Sequence, residues 1–128
     1  MLVAGGVGRL GHGKRLPEGT ASAEIYDPAT GIWSRTGSLD TRRIFFTANL
    51  LKDGRIFAAG GSDTTFHYYL SIERYNPATG RWRTLPHTLA GPRVEHTATM
   101  LLDGSVIVAG GSDGRILIPT AELFVRPN

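Results

Sequence analysis

The chain has 128 residues, 41% of them apolar and 20% charged, with a net charge of +3. That balance fits a globular protein and excludes a disordered one. No apolar run nears the ~20 residues that span a bilayer. The absence of cysteine excludes disulfides and thiolate chemistry, and a small arginine excess without a basic run gives no support for nucleic-acid or membrane-surface binding.

Seventeen Gly and seven Pro break the chain into short apolar runs with no sustained helical period, which predicts short strands joined by turns. Leu2–Ala4 is the first strand, stopped by Gly5-Gly6. A polar loop, 7–19, leads to a strand over 21–26. Asp27-Pro28-Ala29-Thr30-Gly31 is a turn, with Pro28 setting φ and Gly31 free to take φ > 0, and a strand over 32–36 follows. The run 43–51 predicts a longer strand. Asp53-Gly54 then predicts a tight hairpin turn, and 55–59 the return strand to Gly60-Gly61. After a loop, 62–70, come a strand at 71–75, the turn Asn76-Pro77-Ala78-Thr79-Gly80, and a strand around Trp82 to Leu85. The pattern restarts at Arg93, turns at Asp103-Gly104, stops at Gly110-Gly111 and ends on a strand over 120–125. The N-terminus lacks the basic-then-apolar order of a signal peptide, and the compartment is left open.

Two offsets define a repeat. Arg43/Arg93, Thr47/Thr97, Ala48/Ala98, Asp53/Asp103 and Gly60/Gly110 lie fifty residues apart; Glu24/Glu73/Glu122 and Tyr26/Tyr75/Phe124 lie forty-nine apart. A period of about 50 residues marks an array of one supersecondary unit. With the strands of a unit named a to d in chain order, the chain reads b-c-d, a-b-c-d, a-b-c. Strand b is apolar on both faces (Ile56 to Ala59, Val106 to Ala109), as a strand covered on both sides requires. The repeated Arg before strand a and Glu on strand c are candidates to pair.

An apolar run into Gly-Gly, then Tyr26 or Tyr75, then Trp33 or Trp82 with six residues between, resembles the kelch repeat. The version Ala23-Glu24-Ile25-Tyr26-Asp27-Pro28-Ala29-Thr30-Gly31-Ile32-Trp33 is similar to kelch units of bacterial and galactose-oxidase-like proteins. The resemblance covers nearly the whole chain. Phe46 replaces the His96 of the next unit, and the last unit loses the Asp-Pro-Ala-Thr-Gly-Trp portion. The resemblance implies an all-β fold of β-propeller blades, each of four antiparallel strands, with strand a lining the channel and strand d outermost. About two and a half blades are expected, not closed within the chain: 1–37 lacking the innermost strand, 43–86 complete, and 93–128 lacking the outermost. A propeller has roughly 4–8 blades, and exposed apolar blade faces are rarely tolerated. The expectation is therefore a piece of a longer propeller, with self-association over the open faces as the alternative.

Several motifs suggest chemistry and are better read as scaffold. Gly6 to Gly11 matches G-x-G-x-x-G, but residues 12–19, rich in Gly and Pro, cannot form the helix a dinucleotide site needs. Gly8 to Lys14 approaches a P-loop, with Arg15 in place of the Ser or Thr. Residues 27–33 resemble a sialidase Asp-box with the wrong Asp-to-Gly spacing. The four histidines (His12, His67, His87, His96) make no metal-ligand spacing. The copper site of galactose-oxidase relatives needs a Tyr–Cys crosslink that this chain cannot make. No cofactor is expected.

Residues recurring in each unit are scaffold: Gly5, Gly6, Tyr26, Trp33, Gly60, Gly61, Tyr75, Trp82, Gly110 and Gly111. Loop residues that differ between units are the candidates for binding. They are Arg9, His12, Lys14 and Arg15 in the first b–c loop, and Phe66, His67, Tyr68 and Tyr69 in the second. Arg42 and His87 come from the d–a loops, with Glu95 and His96 near strand a. The resemblance implies that these loops open on one face, giving a basic and aromatic rim for an acidic peptide, protein or glycan. The expected function is a non-catalytic binding module. The alternatives are part of a propeller enzyme, such as a galactose-oxidase-like oxidase or carbohydrate-active protein, with its catalytic residues elsewhere, and a repeat scaffold within a larger cell-surface protein.

Overall fold

A computed structural model of the chain describes residues 1–8 and 18–125. Among them there are ten strands and no helix: β1 (Leu2–Ala4), β2 (Ala23–Asp27), β3 (Ile32–Thr36), β4 (Thr47–Leu50), β5 (Ile56–Ala59), β6 (Ser71–Asn76), β7 (Arg81–Thr88), β8 (Thr97–Met100), β9 (Val106–Ala109) and β10 (Ala121–Phe124). They form three antiparallel sheets, β1-β2-β3, β4-β5-β6-β7 and β8-β9-β10, each in chain order and none closed on another. This is the all-β, unclosed blade architecture that the repeat predicts.

The turns explain themselves locally. Asp27 and Asn76 accept the amides of Ala29 and Ala78 on their side-chain oxygens, and their carbonyls accept from Gly31 and Gly80, which take φ of 70° and 64°. The Asp53-Gly54 hairpin is wider than the tight turn expected. Gly54 N–H donates to Leu51 and Leu51 N–H to Arg55, so three residues bridge the strands and Gly54 takes the left-handed position. Strand a is also shorter than the sequence pattern suggested. Phe45 and Glu95 take φ of 54° and 55°, which breaks the run before β4 and before β8. β7 runs longer than expected, through Pro86, which an edge strand tolerates because its missing N–H would face no partner.

Alternation within the strands gives each sheet two faces. Ile56 and Ala58 turn to the first sheet with Tyr75 and Trp82, forming a core with Ala23, Leu39, Leu2 and Ile25. Phe57, Ala59 and Ile72 turn to the third sheet and meet Leu89, Val106, Val108 and Phe124. The Tyr–Trp pairs of the first two units have the same tilted geometry, at 5.0 and 5.2 Å between ring centroids. Trp82 is 7% exposed, however, and Trp33 is 47% exposed, because no sheet covers the outer side of the first.

Two devices hold the stack, one between neighbouring sheets and one that fixes the start of each strand a to its own sheet. Gly6 and Gly61 each donate a 2.7 Å backbone hydrogen bond across to the next unit, to the carbonyls of Arg43 and Arg93. A Cβ on Gly60 would stand 2.6 Å from the Arg93 oxygen, and one on Gly61 2.6 Å from that of Ile44, so glycine is required by contact as well as by φ. The second device is a buried ion pair. The Arg43 guanidinium meets Glu73 at 2.9 Å, donates to the Gly60 and Ser71 carbonyls, and reaches Ser71 Oγ at 2.7 Å. Glu73 also accepts the amides of Asp40 and Thr41, which ties the incoming linker to the sheet. Arg93 repeats the arrangement with Glu122, Gly110 and Thr120. Such a pair stabilises only when fully hydrogen-bonded, and removing one partner costs about 3–5 kcal/mol.

Candidate binding cleft

At the end of the sheets where strand a begins and the b–c loops lie, a cleft of about 550 Å³ crosses all three units. Val7 enters from the first unit. Ile44, Phe45, Asp63, Phe66 and Tyr68 come from the second, and Val94, Glu95, Ser112 and Gly114 from the third. Its walls are mostly apolar, and Phe45 and Phe66 are 58% and 74% exposed.

Backbone geometry sets this lining. Phe45, Phe66 and Glu95 are the non-glycine residues with positive φ among those described, and all three border the cleft. Such conformations persist only where surrounding structure enforces them, and they cluster at binding sites. Phe45 and Glu95 occupy the same repeat position. The backbone recurs while the side chain changes, so the scaffold presents a variable residue at a fixed place.

The loop carrying Phe66 is ordered by Asp63. Its Oδ1 accepts from the amides of Thr65 and His67 and from Thr65 Oγ1. Partial burial pushes the Asp63 carboxyl up, but these hydrogen bonds outweigh it and hold the pKa below its ordinary value. Tyr68 leaves this loop to lie over Gly114 of the next, where a Cβ would fall inside its ring. Tyr69 points the other way. Its hydroxyl donates to Asp63 at 3.4 Å, its ring lies 5.3 Å from the Arg43 guanidinium carbon, and burial followed by the Asp63 charge raises its pKa.

The residues singled out from sequence are distributed unevenly around the cleft. Phe66, Tyr68 and Glu95 line it. His67 stacks on Tyr69 at 5.2 Å and is exposed beside it. Arg42 is exposed and forms a 3.6 Å ion pair with Glu18. His87 lies on β7 in a separate groove with Phe57, Leu123 and Phe124. His96 is buried, 6% exposed, with its Nε2 3.0 Å from Thr47 Oγ1. It packs over Gly60 as Phe46 packs over Gly5, which explains why either residue serves there. Arg9, His12, Lys14 and Arg15 lie outside the described residues. The sequence reading missed Val7, Ile44, Phe45, Asp63 and Val94. Phe45 could have been found by comparing position with position, since it stands opposite Glu95 at an offset of fifty.

Among the described residues no group of three or more His, Asp or Glu side chains is placed to hold a metal ion. No helix among them is long and apolar enough to cross a membrane.

Comparison with known proteins agrees with the repeat. Residues 50–88 match the family model described as the Kelch motif. An F-box/kelch-repeat protein of Arabidopsis thaliana is 34% identical over 65 residues, covering 51% of this chain and 16% of that protein. A galactose oxidase of Gibberella zeae is 26% identical over 92 residues, covering 70% of this chain and 14% of that enzyme. The chain thus spans a small part of the length of these relatives.

Proposed function

We propose that this chain, which is built of kelch repeats, is a non-catalytic binding module that takes a protein or peptide segment in the cleft over the b–c loops. The observation that carries this reading is the set of exposed aromatic side chains, Phe45 and Phe66, held on enforced left-handed backbones around an apolar cleft. Large aromatics at the centre of an interface dominate binding energy, and a rigid β scaffold limits the ordering cost of presenting them. The described lining carries Asp63 and Glu95 and no Lys or Arg. The described part of the cleft suits an apolar side chain. The acidic ligand expected from sequence rested on Arg42, which is ion-paired with Glu18, and on Arg9, His12, Lys14 and Arg15, which lie outside the described residues.

The test is selection of peptides from a displayed library against the full chain, followed by titration of the selected peptides. Phe66→Ala and Phe45→Ala should each weaken binding at least about tenfold, or ~1.4 kcal/mol, while Trp33→Ala, away from the cleft, leaves it unchanged. Equal affinity across the three variants contradicts the assignment.

A second reading is supported by the galactose oxidase similarity: these repeats belong to a propeller enzyme whose catalytic groups lie outside residues 1–128. Mapping photo-crosslinks from the selected peptides separates the two. Crosslinks at Phe66 and Tyr68 favour the binding module.

A further inference from the structure

Four arginines of the second unit converge on one groove, at the end of the sheet away from the cleft. Arg74 of β6 pairs with Phe57 of β5 on one side and with Arg83 of β7 on the other, so these side chains form a row across one face. Arg81 lies two residues before Arg83 on β7, and strand alternation puts it on the same face. Arg55 joins them from the start of β5. Together they line a groove of about 470 Å³, with Asn76 and Thr79 of the c–d turn beside them.

The charge there is not balanced from within. Like charges directly opposite each other on a sheet are destabilising, and Arg74 faces Arg83. Asp53 lies 3.5 Å from the Arg55 guanidinium and offsets one of the four charges. Arg74, Arg81 and Arg83 form no salt bridge among the described residues. Nη1 of Arg74 is buried without a hydrogen-bond partner, which is costly for a charged donor. Burial, then the Arg55 charge, lowers the Arg74 pKa, with Asp53 opposing and Arg83 adding to the effect.

The repeat does not require these arginines. At an offset of forty-nine, Arg74 corresponds to Ile25 and Leu123, Arg81 to Ile32 and Arg83 to Ser34; at fifty, Arg55 corresponds to Ser105. No other unit has a cation at any of these places. The outer positions also stay open where a four-stranded sheet follows. At the junction of the first and second sheets, Ile32 is 61% exposed and Ser34 is exposed as well.

We propose that this groove is an anion-binding site of the second unit, made for a dianionic tetrahedral oxyanion, the chemistry of a phosphate monoester. Guanidinium forks bind such oxygens bidentately and at fixed angles. Arg74, Arg81 and Arg83 project from paired strands, which limits the ordering cost of bringing them together. The four cations exceed Asp53 by three charges, which a dianion offsets better than a monoanion.

The test is calorimetric titration of the full chain with phenyl phosphate, a dianion at about pH 7.5, and with phenyl sulfate, a monoanion of similar shape. The expected result is saturable one-to-one binding of phenyl phosphate with Kd below about 1 mM. Phenyl sulfate should bind at least about threefold more weakly. Arg74→Gln and Arg83→Gln should each weaken phenyl phosphate binding at least about tenfold. Arg115→Gln removes the same charge from an exposed b–c loop at the other end of the sheets and should leave binding unchanged. Arg83 is exposed on an edge strand, so its variant should keep the parent β-sheet circular dichroism and reads the site even if Arg74→Gln disturbs the fold. Absence of binding, an equal loss in Arg83→Gln and Arg115→Gln, or phenyl sulfate binding as tightly as phenyl phosphate overturns the proposal.

Discussion

Arg43 and Arg93 show how much a single repeated residue settles. Each binds the Glu of its own strand c and the carbonyl at its own Gly-Gly stop, while its own carbonyl accepts from the preceding unit's second glycine. The pairing was legible in the sequence, because Arg at an offset of fifty and Glu at an offset of forty-nine recur together. The left-handed turn at Phe45 was not legible. Aromatic residues favour strands, whereas the Phe45 backbone turns out of the strand to accept a 3.3 Å hydrogen bond from Glu95 of the next unit, a contact no local pattern contains. His96 supplies a prediction at this scale. Burial, then the Arg93 charge, holds its pKa below the ordinary 6.5. The unfolded chain therefore binds a proton that the folded chain resists. The stability linked to this group is complete above pH 6.5 and is lost as pH falls from there towards the folded value. The denaturation midpoint should fall between pH 7 and pH 5, and His96→Phe, which copies Phe46, should reduce that fall. An identical pH dependence in both proteins would contradict the burial argument.

At the scale of elements, order and strand type followed from period and turn chemistry, and the ends of the elements did not. The Asp-Pro-Ala-Thr-Gly turn was readable because each residue acts locally. β7 outran its sequence signal because pairing with β6 through a bulge extends it past Pro86. The Gly-Gly stop combines local and tertiary demands, which a pair of substitutions can separate. Gly31 takes φ of 70° with open space around it, whereas Gly61 takes φ of 90° with the Ile44 carbonyl oxygen 2.6 Å from where an added methyl carbon would stand. Gly31→Ala should cost only the left-handed backbone term, roughly 1–2 kcal/mol. Gly61→Ala should cost more, and urea midpoints of the two variants read the difference. Equal costs would show that the approach of the segment leading into β4 does not constrain the stop.

For the whole molecule, the three sheets carry faces made to meet like faces of a further repeat. Val3 and Trp33 are exposed on one outer side and Leu123 on the other, at repeat positions facing outward from the stack. The sequence announced these faces because strand b is apolar on both sides. The cleft was only partly announced, since its lining comes from three units and depends on how far each sheet is rotated against the next, a quantity no local pattern contains. Stacking of successive blades is therefore the premise of the cleft. Amide hydrogen exchange tests it most directly. The Gly6 and Gly61 amides, each bonded at 2.7 Å to the next unit, should be protected to a degree comparable with Ala58 inside its sheet. Protection at Ala58 with free exchange at Gly6 and Gly61 would mean that the sheets fold without stacking, and would contradict the account.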